Sequence, residues 1–264
     1  MVARMMQSGI GASLPRNAGP ERENAIMQSV ENGDMAPVSW VPVLNEAAGH
    51  TITLLVSADA LRIGTAEAPL RVSVTARTMQ RIADMLGCVL PTVRICDLIW
   101  AQAAVKITPC IYPPNAEMAT TARMIEYDAA VSKKVEGRSG LVENIGKNWC
   151  ISNRLLGMKG MAANYGFYDN EPRYRSGTNE QGPYRLWQPL GTRHNMDHVD
   201  YSQVARLVSR TCYVDGAKRD LVDILTDPTL AALVSDDGPL KLVRLPGVEE
   251  TPPIDRYAPV DCAV

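Results

Sequence analysis

Two of the three histidines of this chain, His194 and His198, lie in one stretch, residues 187–208, reading WQPLGTRHNMDHVDYSQVARLV; the third is His50. If the stretch is extended, the two-residue period of a strand puts His194, His198, Asp200 and Ser202 on one face. If its first part is helical, the four-residue spacing still sets His194 beside His198. Either way a titratable pair, a carboxylate and a hydroxyl converge, a set suited to proton transfer or metal ligation.

Several chemistries fit such a set. His194, His198 and Asp200 offer N and O donors that would hold Zn²⁺ and leave a position for an activated water. The spacing HxxxHxD lacks the Glu base of HExxH sites, and two close histidines also serve as plain polar partners, so the metal reading stays open. In a thiol reading, Cys88 or Cys96, near the ends of predicted helices, comes before a His-bearing strand, the order found in papain-like hydrolases. His194 is then the base, with Asp200 or Gln203 orienting it. The competing reading of either cysteine is a buried, inert thiol. Ser202 has no GxSxG elbow and reads as an alternative nucleophile or a supporting hydroxyl. Asp197 and Asp200 stand three apart, which on a strand points them to opposite faces and argues against paired acid–base work. No phosphate loop is present, because SGIGASL lacks both the Lys-Ser/Thr ending and a preceding strand.

The elements that must position these residues follow from periodicity and punctuation. Residues 1–37, rich in Gly, Asn, Glu and Ser, read as an irregular N-terminal arm held by partners rather than by the core. From Trp40 the chain is strand-like: VSWVPVL, TITLLVSA, ALRIG and LRVSV, separated by turn formers. A helix follows with Thr75 as cap, Met79, Ile82, Ala83 and Leu86 inward and Gly87 at its end. A second is capped by Thr92, with Ile95, Ile99 and Ala103 as its stripe; the two are expected to pack as a pair. A third helix is predicted over about 117–135, with Ala122, Ile125, Ala129 and Ser132 inward. Strands return in VENIGKNWCIS, MAANYGFY, YRLWQPL and ARLVSRTCYV, the last ending at the turn Asp215-Gly216. The polar stretch 169–183 is long enough to be a lid or a contact surface. Asp227-Pro228 reads as the start of a helix, and the tail beyond Pro246 as irregular.

Composition narrows the classes. A chain of 264 residues can bury a core in one large domain, and a net charge of -2 gives no general reason to bind nucleic acid or an anionic membrane. Six cysteines without a CxxC pair argue against a zinc knuckle and leave buried free thiols as the default. A single Phe against twelve Met makes the expected core largely aliphatic. No apolar run approaches the roughly 20 residues needed to span a bilayer, and the start is too polar for a signal peptide, so the chain reads as soluble.

One ordered series of short motifs carries a resemblance: LGCVLPT at 86–92, NRL at 153–155, QPL at 188–190, His194, VDYS at 199–202, RLV at 206–208 and VDG at 214–216. The series resembles a largely uncharacterised family of bacterial and phage-borne proteins, over roughly residues 40–246. That family carries a Gly-His-Lys-Lys-Asp run before a strand holding NRL, and a His directly after VDYS, so the resemblance implies a strand at 153–155. Here the first place is taken by Asn144, Ile145, Gly146, Lys147 and Asn148 and the second by Gln203, so the matching site residues are Lys147, His194, Asp200, Tyr201 and Ser202.

The expectation is a single α+β domain over 38–246, mostly antiparallel, with a helical pair, a third helix, an arm at 1–37 and an irregular tail at 247–264. Its site is hydrolase-like, drawn from His194, Asp200, Ser202, Lys147 and Cys88, without a cofactor. The resemblance implies a shared fold and a phage or bacterial origin more strongly than any activity; the enzyme reading is hydrolysis of a cell-wall peptide or glycan, and its rival is a non-catalytic structural or binding subunit of a virion such as a tail component. Partners are other subunits and a cell-wall polymer, with no nucleic acid and no membrane span.

Overall fold

A computed structural model describes residues 9–169, 177–178 and 185–254 of the chain. Its first elements correct the expected arm. After a short turn of helix, α1 (Ile10–Ser13), a longer helix, α2 (Pro20–Asn32), starts with Pro20 in the first turn beside Glu21 and Glu23, and stops at Gly33, whose φ is 83°. Proline and acids suit a helix start, and a left-handed glycine suits its end. Ile26, Met27 and Val30 are buried in the main core. The helix escapes a periodicity reading because it also buries charge: Arg22 donates to Ala119 O at 2.8 Å, and Glu23 Oε2 accepts from Thr75 N at 3.0 Å.

The predicted strands and caps then appear in order. A hairpin joins β1 (Trp40–Ala47) to β2 (His50–Ser57), and β3 (Arg62–Ile63) pairs with β4 (Leu70–Arg71). Helix α3 (Ala76–Met85) leads through β5 (Cys88–Val89) to helix α4 (Val93–Gln102). Thr75 and Thr92 cap these helices, each hydroxyl accepting a backbone N–H three residues on. The helices do not pack mainly on each other: α3 lies against α2 and β5, and α4 against β1. Strand β6 (Val105–Lys106) precedes α5 (Thr121–Val135), capped by Thr120 and burying Met124, Ile125, Tyr127, Asp128 and Val131. Of the expected inward residues only Ile125 is fully buried, because the helix also turns Asp128 inward to Arg71, Nη1 to Oδ1 at 2.8 Å.

Strand β7 (Val142–Glu143) runs parallel to β6, and β8 (Lys147–Cys150), β9 (Met161–Tyr168), β10 (Gly177–Thr178) and β11 (Arg185–Asn195) form an antiparallel sheet ordered β10-β11-β9-β8. The larger sheet is closed by β12 (Val208–Val214) and β13 (Ala217–Asp220), in the order β1-β2-β12-β13 with β5 also against β12. Asp215 and Gly216, with φ of 50° and 81°, make the expected tight turn. The fold is α+β and mostly antiparallel. No helix among the described residues is long and apolar enough to cross a membrane.

Two local expectations fail for one reason, side chains competing for backbone groups. NRL is a 3₁₀ turn, not a strand, because Asp237 Oδ2 takes the Ser152 hydroxyl at 2.6 Å and the Asn153 N–H at 2.9 Å. The helix expected from Asp227 is shortened to a 3₁₀ turn (Ala231–Leu233), with Asp227 accepting from the N–H groups of Thr229 and Leu230 as a cap would, and the regular helix here is α6 (Leu221–Thr226), capped by Asp220, just before it. The stretch expected as a lid lies, from residue 170 to 184, almost wholly outside the described residues, as does Cys262.

Because α2 is part of the core, Ile26→Ala should cost about 2–4 kcal/mol in urea unfolding. An unchanged midpoint would place the helix outside the core after all.

Candidate functional site

The site is assembled by strand register. Lys147 pairs with Gly166, Trp149 with Asn164, Asn164 with Gly191, and Ala162 with His194. Directly paired residues share a face, so Lys147, Trp149, Asn164 and His194 rise from the same side of the smaller sheet. Gly166 has a φ of 139°, a value that suits glycine, and the Phe167 ring beyond it lies 6.0 Å from Lys147 Nζ.

Over this face passes the segment that follows β11. The strand ends at Asn195, a turn takes Met196 and Asp197, and residues 199–207 then run buried through the molecule. Lys147 N donates to Ser202 O at 2.6 Å, Val74 N to Gln203 O at 3.0 Å and Ser73 Oγ to Tyr201 O at 2.6 Å. The approach is close enough to need glycine at 146, where a Cβ would stand 2.7 Å from Ser202 O.

The expected convergence exists, but not by the expected route. His194 is on the strand, whereas His198 returns through the turn and stacks on it, ring centroids 4.1 Å apart and 8° from parallel. Trp149 meets His194 edge-on at 6.3 Å. Asp200 lies beneath, its Oδ2 3.2 Å from Lys147 Nζ and 4.0 Å from His198 Nε2. Its Oδ1 accepts from Ser202 N at 2.7 Å and from the Ser202 hydroxyl. Asp200 therefore lies nearest His198, and His194 stacks above through that second ring. Gln203, considered as an orienter of the base, instead accepts the Asp200 N–H. Asp197 turns out to Arg77 at 2.7 Å.

The electrostatics reverse a further expectation. A carboxylate beside an imidazole favours the cation, yet both rings are less basic than an ordinary histidine. For His194 burial is the largest cause, followed by His198 and Lys147; for His198 burial again leads, and Lys147 adds to it against Asp200. Burial would raise the Asp200 carboxyl, but the Lys147 charge and the bonds from Ser202 hold it below its usual range. At neutral pH the site is two neutral imidazoles over an ion pair.

Three proposed chemistries fare differently. Ser202 spends its proton on Asp200 and is not bonded to an imidazole, so no Ser–His nucleophile is built. Cys88 sits on β5 in the larger sheet, donates to Leu86 O at 3.4 Å, and burial pushes its thiol far up; no hydrogen bond of the histidine cluster reaches it. Cys96 is buried with its sulfur 3.7 Å from that of Cys150, and its thiol is likewise pushed up by burial. Neither makes a thiolate for His194 to serve. Among the described residues no group of three His, Cys, Asp or Glu is arranged to hold a metal ion. Parallel rings keep their in-plane lone pairs parallel, so the two histidines do not aim at one centre. Tyr201 is engaged elsewhere, its hydroxyl accepting from Tyr112 N at 2.9 Å.

Trp149 and Asn164 are the members that sequence reading missed. Neither stands in a motif, and only the pairing of β8, β9 and β11 brings them to the histidines.

The pH response has a defined sign. Both imidazoles have folded pKa values below the ordinary 6.5, so the unfolded chain takes up protons first as pH falls. Their contribution to stability is complete above about pH 6.5 and is lost as pH drops through that value toward the folded pKa values. Thermal melts should therefore show Tm falling between about pH 7 and 5, with a shallower slope in a His194→Gln/His198→Gln double variant; equal slopes would contradict the geometry. Removing the cation by Lys147→Met should raise the Asp200 pKa, read by carboxyl NMR, and lower Tm at neutral pH; a carboxyl titrating as before would contradict the ion pair.

In comparisons with known proteins, no family model, no curated protein and no solved structure matches this chain.

Proposed function

We propose that the chain is a hydrolase-like enzyme in which His194 is the general base. The observation that carries this reading is the state of the ring: half-buried, neutral near pH 7, and free of hydrogen bonds among the described residues. A base must hold a free lone pair at working pH and be reachable by the proton it takes. His198 fixes the His194 plane by stacking, and the Asp200–Lys147 pair beneath offers a preorganised field for charge that develops during proton transfer. On a peptide, a water would add to the scissile carbonyl while its proton passes to His194, which then returns that proton to the leaving amine as the C–N bond breaks; on a glycan the water would instead add at the anomeric carbon as the glycosidic C–O bond breaks.

A cell-wall peptide or glycan is the substrate class we favour, and phage association the setting; the motif series that ends in VDYS, RLV and VDG supports the setting. The rival reading is a non-catalytic structural or binding subunit of a phage particle. It is favoured by the completeness of the Asp200 contacts, since Lys147 and Ser202 already satisfy the carboxylate as a purely structural latch would.

Clearing of a suspension of bacterial sacculi by the purified chain separates the two. Under the enzyme reading, His194→Ala should reduce clearing by at least about a hundredfold while leaving the melting transition in place. No clearing by the parent chain, together with a defined oligomer that His194→Ala disrupts, would favour the structural reading.

A further inference from the structure

Asn164 is fully buried, and among the described residues neither its carboxamide oxygen nor its nitrogen has a hydrogen-bond partner; the Gln203 Nε2 and His198 Nε2 atoms are also buried and without one there. Leaving such atoms unpaired is costly, so a cluster of them beside a titratable site points to a ligand that completes it. The chain shows twice what a carboxamide does in this situation. Gln102 Oε1 accepts from Leu44 N at 2.9 Å while its Nε2 donates to Leu44 O at 2.8 Å. Asn144 Oδ1 accepts from Tyr168 N at 2.7 Å while its Nδ2 donates to Tyr168 O at 2.9 Å. In both cases one side-chain amide takes the N–H and the C=O of a single residue, groups that point the same way only in extended backbone.

We propose that Asn164 grips one residue of an extended peptide ligand in this manner, at a subsite next to His194. The inference rests on the hydrolytic reading of His194 and names its substrate as a peptide. An N-acetylated sugar fits less well, because the N–H and C=O of one amide point in opposite directions and cannot both meet one carboxamide. The charge balance agrees, since Lys147 is neutralised by Asp200 and the unpaired atoms belong to neutral groups. Access is offered by β11. Three of its residues oppose two of β9 twice in succession, from Gln188 to Gly191 and from Gly191 to His194, so the ladder is interrupted on either side of Asn164. At Gly191 an added Cβ would stand 3.1 Å from Gln188 Nε2 and 3.4 Å from Asn164 Oδ1. Asn164 itself is fully buried, so a ligand would have to displace the half-buried Gln188 side chain, whose amide is bonded among the described residues to the neighbouring Pro189 O. His194 stands one residue pair along the sheet, about 7 Å, or roughly two residues of extended peptide.

Binding of N-acetyl-tetraalanine-amide to the full chain, measured by calorimetry, tests this directly. A set of the same peptide N-methylated at each position in turn removes one N–H at a time without touching the protein. We expect one methylated position to lose binding by about tenfold or more and Asn164→Ala to lose a similar factor. His50→Gln, in the larger sheet and paired with Asp215 rather than with any residue of the site, should bind the peptide within about twofold of the parent. Chitotetraose, the glycan control, should show no binding that depends on Asn164. The proposal is overturned if the peptide does not bind, if every methylated peptide binds alike, if Asn164→Ala binds as the parent does, or if the glycan alone depends on Asn164. Peptide binding that needs Asn164 but never leads to cleavage would end the hydrolytic reading and leave this one standing. Cleavage that needs His194 but ignores Asn164 would do the reverse.

Discussion

Every residue from 199 to 209 is buried, yet most of this run belongs to no regular strand, and the rest of the molecule is arranged to satisfy it. Buried backbone groups must find partners, and here they find them on several elements. Tyr201 N donates to Met118 O, Leu61 N to Ala205 O, and Ser57 and Leu207 exchange bonds at the end of β2. Arg206 fastens the run with a buried ion pair to Glu143 at 2.6 Å and with bonds to the carbonyls of Ser57 and Val142. Burial pushes the Glu143 carboxyl up, and the Arg206 charge opposes that. Removing either partner would strand a charge in the interior, typically a loss of about 3–5 kcal/mol. The candidate site inherits its rigidity from this thread, since Asp200, Ser202 and Gln203 are part of it.

The stacked imidazoles behave as one unit. With ring centres 4.1 Å apart, a proton on either raises the cost of a proton on the other, and Lys147 adds to that cost for both. The pair therefore takes up a first proton less readily than an ordinary histidine and a second with still more difficulty. Asp200 biases the first proton toward His198, whose Nε2 is the nearer, which leaves the lone pairs of His194 for chemistry.

Local signals in the sequence reached as far as local physics does. Thr75 and Thr92 as caps, the Asp215-Gly216 turn and the strand in TITLLVSA each depend on a few adjacent residues, and each is found as read. The pairing of His194 with His198 was legible because four residues cannot separate them far, whether the chain is extended, helical or turned. What was not legible depended on distant partners. Helix α2 is held by Thr75 and Ala119, some 50 and 97 residues away along the chain. The fold-back at Met196 and Asp197 replaces the extended run, and its driving contacts come from β8 and from Val74. Cys88 looked available because it ends a helix; its burial under β12 is a tertiary fact.

Strand β1 is an edge of the larger sheet and carries Leu44, 57% exposed. An edge with free ladder groups invites a second molecule to add a strand. Pro42 has no N–H to offer, and the side chain of Gln102, the last residue of α4, occupies both backbone groups of Leu44. That single amide does little for the folding equilibrium, being solvent-exposed. It acts instead on colloidal behaviour: without it, the most apolar point of the edge would be a template for intermolecular sheet, and the concentration at which the folded chain begins to associate would be set by one glutamine.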